Sequence, residues 1–577
     1  MAKKIFNGGD FLVKEIDCRE VFTPEDFTDE HNQIARTTEQ FVINEIQPIN
    51  NEIEAKNFDL VVGKLKECAA LGLMMIDAPE SYGGLELDKV TSMLVMEKMA
   101  FGLNFGLTYM CHTGIGMLPL IYYGTAGQKD RYLGKLVNAE MIGAYCLTEP
   151  GSGSDALGAK TTATLSDDGR YYILNGTKQF STNAGFADLY TVFAKVDKIH
   201  FTAFLIERTY AGLGFGPEEK KMGMHGSSTR QVILDNVKVP VENVLGEVGK
   251  GHKIAFNVLN VGRFKLGALC VGQEKYALAE GARYANERKQ FNVPISSFGA
   301  IREKLADVTA MTFASEAVVY RLAGLIDDRL ATLDKGIENY YVEYQKGIEE
   351  YAAECALVKV FCTESAALAI DEMLQVHGGY GYIAEYPIEQ LYRDERVQRI
   401  YEGTNEINRL LIPGLLIRKG VGGKSSDLAL EASAGKNSGI FAAEKQLLKG
   451  MKRIYVALTD HIMRKFGADA TGEQEILLTL ADMVIQIFAL ESALLRAEKT
   501  FGTVTERKQK MYRAVIKICT FRAKQQFVNS TGKCAAFIDH EILLESIELE
   551  TAYNASGLLA AKRLIADATS QEEKYIF

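Results

Sequence analysis

Apolar residues recur at three- and four-residue intervals from about residue 29 to residue 141, as in "DLVVGKLKECAALGLMMI" and "DKVTSMLVMEKMAFGLNFGLTYM". That period predicts amphipathic helices. From Ile142 the period shortens. "GRYYILNGTKQFSTN", "DLYTVFAKV", "HFTAFLIER" and "RQVILDNVKVP" are short β-branched or aromatic runs separated by Asp-Gly, Asn-Gly and similar turn dipeptides. They predict a compact antiparallel β domain over 142–252, the size of a single domain. Helical spacing returns after "VPVENVLGEVGKGH" and predicts a bundle over 253–418. The Gly/Ser-rich stretch 419–439 reads as a linker, and 440–577 is helical again, as in "EQEILLTLADMVIQIFALESALLRAEKT". The fold class is mainly α with a central β domain, preceded by an extension of residues 1–28, and no repeat of fixed period is evident.

The 577 residues exceed what one hydrophobic core serves, which agrees with several domains. With 47% hydrophobic and 24% charged residues, the composition is that of an ordinary soluble protein. The net charge of −10 and the lack of a Lys/Arg block leave no basic face for nucleic acid. Nine cysteines, widely spaced and never in a C-x-x-C pair, fit reduced thiols in a cytoplasmic protein better than a disulfide framework or a zinc site. The start "MAKKIFNGGDFLVKEID" lacks an apolar core for a secretory signal. No stretch is read as reaching the ~20 apolar residues of a membrane span. "GVGGKS" in the linker looks like a phosphate loop, but Arg418 stands where the first glycine belongs and no strand precedes it.

Four stretches carry candidate chemistry, each beside a plainer role. "AYCLTEPGSGSDALGAKTTA" runs a strand into a Pro-Gly-Ser-Gly-Ser turn, whose N–H groups and hydroxyls suit a polar ring or a phosphate; a strand-closing turn looks the same. In "KQFSTNAG", strand alternation puts Phe180 and Thr182 on one face, a plate beside a hydroxyl, or simply a packed strand. In "ANERKQFNVPISSFGAI", Arg288 near a helix end could grip a phosphate or face solvent. In "LQVHGGYGYIAEYP", Gly378 and Gly379 end a helix and permit close backbone approach; His377 has no spaced second ligand, so no metal is expected. A fifth stretch, "IYEGTNEINRL", sets Glu402 between a tyrosine and a Gly-Thr-Asn turn. Thr404 or Asn405 caps the helix that follows. The helix dipole there lowers a carboxylate's pKa and burial raises it, and the pattern alone does not rank the two.

Taken in this order and spacing, "AYCLTEPGSGSDA", "KQFSTNAG", "NERKQF", "QVHGGYGY" and "IYEGTNEINRL" resemble the acyl-CoA dehydrogenase family over roughly 27–417. "GPEEKKMGMHGSST", "VPVENVLGEVGKG", "VLNVGRF" and the helical region after the linker are most similar to its very-long-chain branch. The resemblance implies an N-terminal helical domain, a middle antiparallel β-barrel, a C-terminal helical bundle and an additional C-terminal helical domain. It implies FAD and α,β-dehydrogenation of an acyl-CoA thioester, the oxidative step of fatty acid β-oxidation, with electron-transferring flavoprotein as acceptor.

On that resemblance Glu402 is the base that removes the α-proton, its own backbone N–H and a flavin ribose hydroxyl polarising the thioester carbonyl. Tyr145, Leu147 and Thr148 line the pyrimidine edge of the flavin, and Gly153 and Ser154 its phosphate side. Phe180 covers one ring face, where many relatives have tryptophan and this chain has none, and Thr182 sits near N5. Arg288, Gln290, Phe291, Gln375, Gly378 and Gly379 reach the cofactor of a neighbouring subunit, which implies a homodimer or a higher homo-oligomer. Thr404 and Glu406 return to the diphosphate and adenosine side. Ser154, Arg263, Tyr401 and Gly403 accompany the substrate. Gly106 and Met110, on a helix read as Ala100 to Gly116, line an apolar slot that implies a long acyl chain. Some relatives carry their base immediately before an arginine of an earlier helix; here Gly262 precedes Arg263. Asn292 replaces the glycine usual after Gln-Phe, and Pro413 is expected to kink the helix after the base. The alternatives are an acyl-CoA oxidase, or an assembly or binding protein on the same fold. "EKQLLKGMKRIYVALTDHIMRKFG" is either an ordinary domain helix or a peripheral membrane contact.

Overall fold

In a computed structural model, which describes residues 4–421, 439–538 and 548–577, the helical spacing early in the chain becomes the helices Asp29–Phe41, Phe58–Ala70, Lys89–Met99, Asn104–Cys111 and Ala126–Val137. Thr28 starts the first of them: its Oγ1 accepts from His31 N at 3.2 Å, and His31 Nδ1 accepts from Thr28 N at 3.1 Å. This reciprocal cap satisfies two otherwise orphan donors. Lys89–Met99 is buried on every side except at Lys98, which explains why its apolar positions do not form a single stripe. Its one inward lysine, Lys89, shares the carboxylate of Asp77 with Lys265, at 2.5 and 2.7 Å. Removing one partner of such a buried set costs about 3–5 kcal/mol.

These helices belong to a unit made of Thr28–Lys265 and Leu330–Glu349, which also holds the sheet. Eight strands build it, in the order β6 (Leu213–Phe215), β7 (Thr229–Pro240), β3 (Tyr171–Thr182), β2 (Thr162–Leu165), β4 (Leu189–Val196), β5 (His200–Glu207) and β8 (Val244–Leu245), with β1 (Gly143–Cys146) beside β4. The sheet is largely antiparallel, dominated by the β3–β7 (Tyr171–Thr182, Thr229–Pro240) and β4–β5 (His200–Glu207) ladders. It departs from the antiparallel expectation at two places: β1 and β2 (Thr162–Leu165) both pair parallel with β4. Ala163, Leu174, Tyr190, Val192, Phe204, Val232 and Val237 form its core.

The segment read as one helix from Ala100 to Gly116 is broken. Leu103, at φ 49° and ψ −117°, separates a short turn, Ala100–Gly102, from Asn104–Cys111, and a wider turn over His112–Gly116 follows. That wider turn lies directly against β1. A Cβ on Gly143 would stand 2.9 Å from the Gly116 carbonyl oxygen, so only glycine fits there.

The second unit comprises Met1–Phe27, Leu266–Arg329 and Glu350–Phe577. Its long helices are Gly299–Leu330, Ala352–His377, Asn405–Arg418, Ala442–Phe466, Gln474–Phe501, Glu506–Phe537 and Leu558–Glu572. Asn405–Arg418 runs through Pro413 unbroken. The N-terminal extension is part of this core: Gly9 N donates to Glu354 Oε1 at 2.7 Å, and Phe11 meets Phe488 edge-on at 4.9 Å. Among the described residues two helices, Gly251–Glu287 and Gln474–Phe501, are long and apolar enough to cross a membrane, which the sequence reading did not anticipate; both are mostly buried inside the protein. All nine cysteines are free thiols, eight of them buried. Residues 422–438 lie outside the described residues, and with them most of the stretch read as a linker and the greater part of "GVGGKS".

Candidate active site

In the sheet unit, β1 delivers the chain into the turn Leu147–Ser154. Tyr145 is buried with its ring edge-on to Phe193 at 5.1 Å, while Leu147 and Thr148 are half-buried. Glu149 and Ser152 close the turn through paired backbone hydrogen bonds of 2.9 and 3.1 Å. Gly153 and Ser154 are exposed, and a Cβ on Gly151 or Gly153 would meet nothing within 4 Å. The turn is held from beneath. Lys178, fully buried, donates to Glu149 Oε1 at 2.7 Å and to Leu147 O at 3.3 Å, and Glu149 also accepts from the backbone of Lys160 and Thr161. Burial alone would push Glu149 up, but Lys178 together with the donors of Thr161 and Lys160 outweighs it and keeps the carboxyl below its usual range.

Two residues further along, β3 bulges. The register against β7 shifts between Lys178 and Ser181, and Phe180 takes the left-handed conformation at φ 56°. A bulge re-aims a side chain, and here it leaves the phenyl ring 62% exposed while Ser181 is buried. Thr182 follows half-buried, and Asn183, also left-handed at φ 65°, donates from Nδ2 to Thr108 O at 3.2 Å. Thr108 lies in Asn104–Cys111, the helix that carries Gly106 and Met110, both buried. His112 ties this region to β1: Nδ1 accepts from Gly143 N at 3.0 Å and Nε2 faces Leu136 O at 3.0 Å. Burial pushes its pKa down to about 4, so it is neutral. Arg263 is buried and donates to Asn260 Oδ1 at 3.0 Å.

In the helical unit, the helix Ala352–His377 ends at Gly378 (φ 58°), and neither Gly378 nor Gly379 has an atom within 4 Å of an added Cβ. Gln375 is exposed at its last turn. Arg288 stands at the start of a small hairpin in which Lys289–Gln290 pairs with Val293–Pro294. Phe291 (φ 51°) and Asn292 (φ 66°) form its tip. Two consecutive left-handed residues make the hairpin turn that favours Asn and Gly, so Asn292 serves the conformation a glycine would. Phe291 projects, 88% exposed.

Glu402 sits at φ 57° and Gly403 at φ 79°, between Tyr401 and the helix Asn405–Arg418. A left-handed glutamate is held by its surroundings rather than by preference. Thr404 caps the helix, accepting from Ile407 N at 3.3 Å, and Glu406 lies exposed in the first turn. Asn408 Nδ2 donates to Gly403 O at 2.8 Å and Thr404 O at 3.0 Å. Lys359, fully buried, donates to the same Gly403 carbonyl at 2.8 Å and to Asn405 Oδ1 at 2.7 Å. Glu402 is itself half-buried.

The sequence reading did not name the groups that hold these loops: Glu149 and Lys178 under one turn, Lys359 and Asn408 under the other, where Asn405 was read only as a cap for the helix. A signal existed for both lysines. Each is the lone cation of a largely apolar or aromatic run, "CALVKVFC" and "YYILNGTKQF", where burial demands a partner.

The chain matches family models described as acyl-CoA dehydrogenase N-terminal domain over 28–140, middle domain over 144–237, and C-terminal domain over 249–414 and again over 440–535. It is 45% identical over 515 residues to a probable acyl-CoA dehydrogenase of Bacillus subtilis, covering 87% of each chain. It is 34% identical over 491 residues to the mitochondrial very long-chain specific acyl-CoA dehydrogenase of Homo sapiens, covering 78% of this chain and 71% of that one. Among solved structures, an acyl-CoA dehydrogenase from Bacillus anthracis complexed with FAD superposes with a TM-score of 0.96 at 44% identity, covering 99% of this chain and all of that one.

Proposed function

The chain belongs to the acyl-CoA dehydrogenase family, and on that premise we propose that it desaturates a long-chain acyl-CoA between the α and β carbons, with FAD as cofactor and Glu402 as base. The observation that carries this reading is the left-handed Glu402, whose loop is anchored at the next carbonyl by a buried lysine and an asparagine. A surface turn needs neither the strain nor the anchors.

The residues on the sheet unit fit a flavin. An aromatic plate at Phe180 is bared by a bulge, a hydroxyl follows at Thr182, and the glycine turn leaves open backbone beside Thr148 and Ser154. Tyr145 and Leu147 would complete the pyrimidine side, and Gly153 and Ser154 the phosphate side. Arg288, Gln290, Phe291, Gln375, Gly378 and Gly379 would meet the cofactor of a second copy, making the working form a homodimer or larger. Their exposure on the hairpin and the helix end supports that reading. Thr404 and Glu406 would face the diphosphate and adenosine.

The chain's own part in the reaction is to aim a carboxylate. An α-proton beside a thioester is too weakly acidic for a carboxylate unless the carbonyl is polarised, and the Glu402 backbone N–H is the chain's donor for that oxygen. Glu402 then takes the proton, which contributes on the order of 10²–10⁴ in rate. FAD, when bound, would supply the acceptor for the β-hydrogen and its electron pair. Ser154, Arg263, Tyr401 and Gly403 would hold the thioester and its CoA. The buried, uncharged stretch with Gly106 and Met110 supports a long acyl chain, as does a relative specific for very long chains. We assign electron-transferring flavoprotein as acceptor, fatty acid β-oxidation as setting and the cytoplasm as location.

Anaerobic titration of the purified protein with a long-chain acyl-CoA tests the reading. Bleaching of an oxidised-flavin spectrum is expected. A flavin band that persists would point to a non-catalytic protein, and oxygen consumption on adding substrate would point to an oxidase.

A further inference from the structure

Asp482, in the helix Gln474–Phe501, accepts from Arg409 Nε at 2.7 Å. Arg409 also grips Glu364 with both terminal nitrogens, Nη1 to Oε1 at 2.6 Å and Nη2 to Oε2 at 2.7 Å. Glu364 Oε1 accepts in addition from Asn405 Nδ2 at 3.0 Å, and Asn405 Oδ1 accepts from Lys359 Nζ at 2.7 Å. Lys359 Nζ ends the series on Gly403 O at 2.8 Å, one residue from Glu402. The connected side chains come from three helices, and one of the three lies beyond the stretch read as a linker.

Two features make this more than a set of surface ion pairs. Asn405 and Lys359 are buried, so their hydrogen bonds are neither screened nor exchanged with water. The Arg409–Glu364 contact is bidentate, which fixes both planes. Meanwhile Glu364, Arg409 and Asp482 border a cavity of about 360 Å³. On that side they face the cavity, and the guanidinium is oriented by its two carboxylates. Loss of Asp482 frees Arg409 to pivot, and Glu364 Oε1, shared with Asn405, pivots with it.

We propose that Asp482 is a positioning residue for the base. Through Arg409, Glu364, Asn405 and Lys359 it fixes the Gly403 carbonyl, and with it the reach of the Glu402 carboxylate. The helical region beyond 440 thereby takes part in the chemistry. The proposal rests on the reading of Glu402 as the base.

The test uses FAD-loaded full-length protein and a long-chain 3-thiaacyl-CoA, whose β-sulfur blocks dehydrogenation but leaves α-hydrogens that a base exchanges with D₂O. Wild-type protein exchanges them; no exchange, or exchange that survives Glu402→Gln, overturns the base assignment itself. Given wild-type exchange, Asp482→Asn is expected to slow it about tenfold, with the Kd for the analogue changed by less than about twofold. FAD content and melting temperature stay those of the wild type. Asp482→Glu keeps the charge and has the cavity for its extra methylene, so its rate lies between the two. Unchanged exchange in Asp482→Asn overturns the proposal. So does a loss that merely tracks FAD content or melting temperature, or an Asp482→Glu rate no better than that of Asp482→Asn.

Discussion

Lys178 donates to Glu149 Oε1 at 2.7 Å, joining the start of the glycine turn to the strand that bares Phe180 two residues later. The pair sets the height of one part of the proposed flavin site against the other. Lys178→Met leaves a buried carboxylate without its cation, which costs about 3–5 kcal/mol. We expect a lower melting temperature and FAD affinity weakened at least tenfold, read by calorimetry and by fluorescence titration of the apoprotein. FAD affinity equal to wild type would mean the turn keeps its shape unaided.

Glu402→Gln keeps the size of the side chain and removes the base. FAD binding is expected to be normal and flavin reduction by acyl-CoA to fall by about 10²–10⁴. Stopped-flow absorbance decides it, and substantial residual reduction would place the base elsewhere.

Gly106 is buried in the helix that packs under Asn183. Gly106→Gln puts a long side chain into the slot assigned to the acyl tail, so the preferred chain should shorten. Profiles of kcat/KM against chain length check this. An unshifted profile would remove Gly106 from the slot.

Two buried groups bend the stability profile in opposite directions. Burial pushes Glu274 up to about 8, although Ser315 donates to it at 2.9 Å. Between about 4.3, its unfolded value, and 8 the folded state binds more protons than the unfolded state, so stability falls as pH rises through that window. Glu274→Gln should raise the melting temperature at pH 8 and do little near pH 4.5. His112, held down to about 4, acts oppositely: from about 6.5 down to 4 the unfolded state binds the extra protons, and acidification destabilises. Melting curves across pH for the Gln variant, with a gap that fails to close on the acid side, would refute the Glu274 assignment.

The helix Ala442–Phe466 buries Leu447, Met451, Ile454, Leu458 and Ile462 within its own unit. Its apolar stripe is therefore engaged, and full-length protein is expected to stay in the supernatant when anionic vesicles are sedimented at low salt. Salt-sensitive pelleting would show a membrane contact made by other means.

The order of helical and sheet regions was legible because burial imposes a period on the sequence, 3.6 in one case and 2 in the other. The segment 100–116 was misread as continuous for the same reason. Its apolar pattern persists across Leu103, whose positive φ leaves no mark in composition. The left-handed Phe180, Phe291 and Glu402 were equally hidden, since each is imposed by packing on a residue that does not favour it. Candidate residues such as Glu402 and Arg288 could be singled out from local motifs, a carboxylate before a capped helix and an arginine at a helix end. The supports beneath, Lys359 to Gly403 or Arg409 to Asp482, join residues 44 and 73 positions apart, and pairing over such separations is written in no local pattern.

The exposure of Phe180 has a consequence outside the reaction. A phenyl ring 62% open to water is apolar area that a ligand can cover. Bound flavin would therefore hold the fold together as well as carry electrons, and the apoprotein should melt below the FAD-loaded protein.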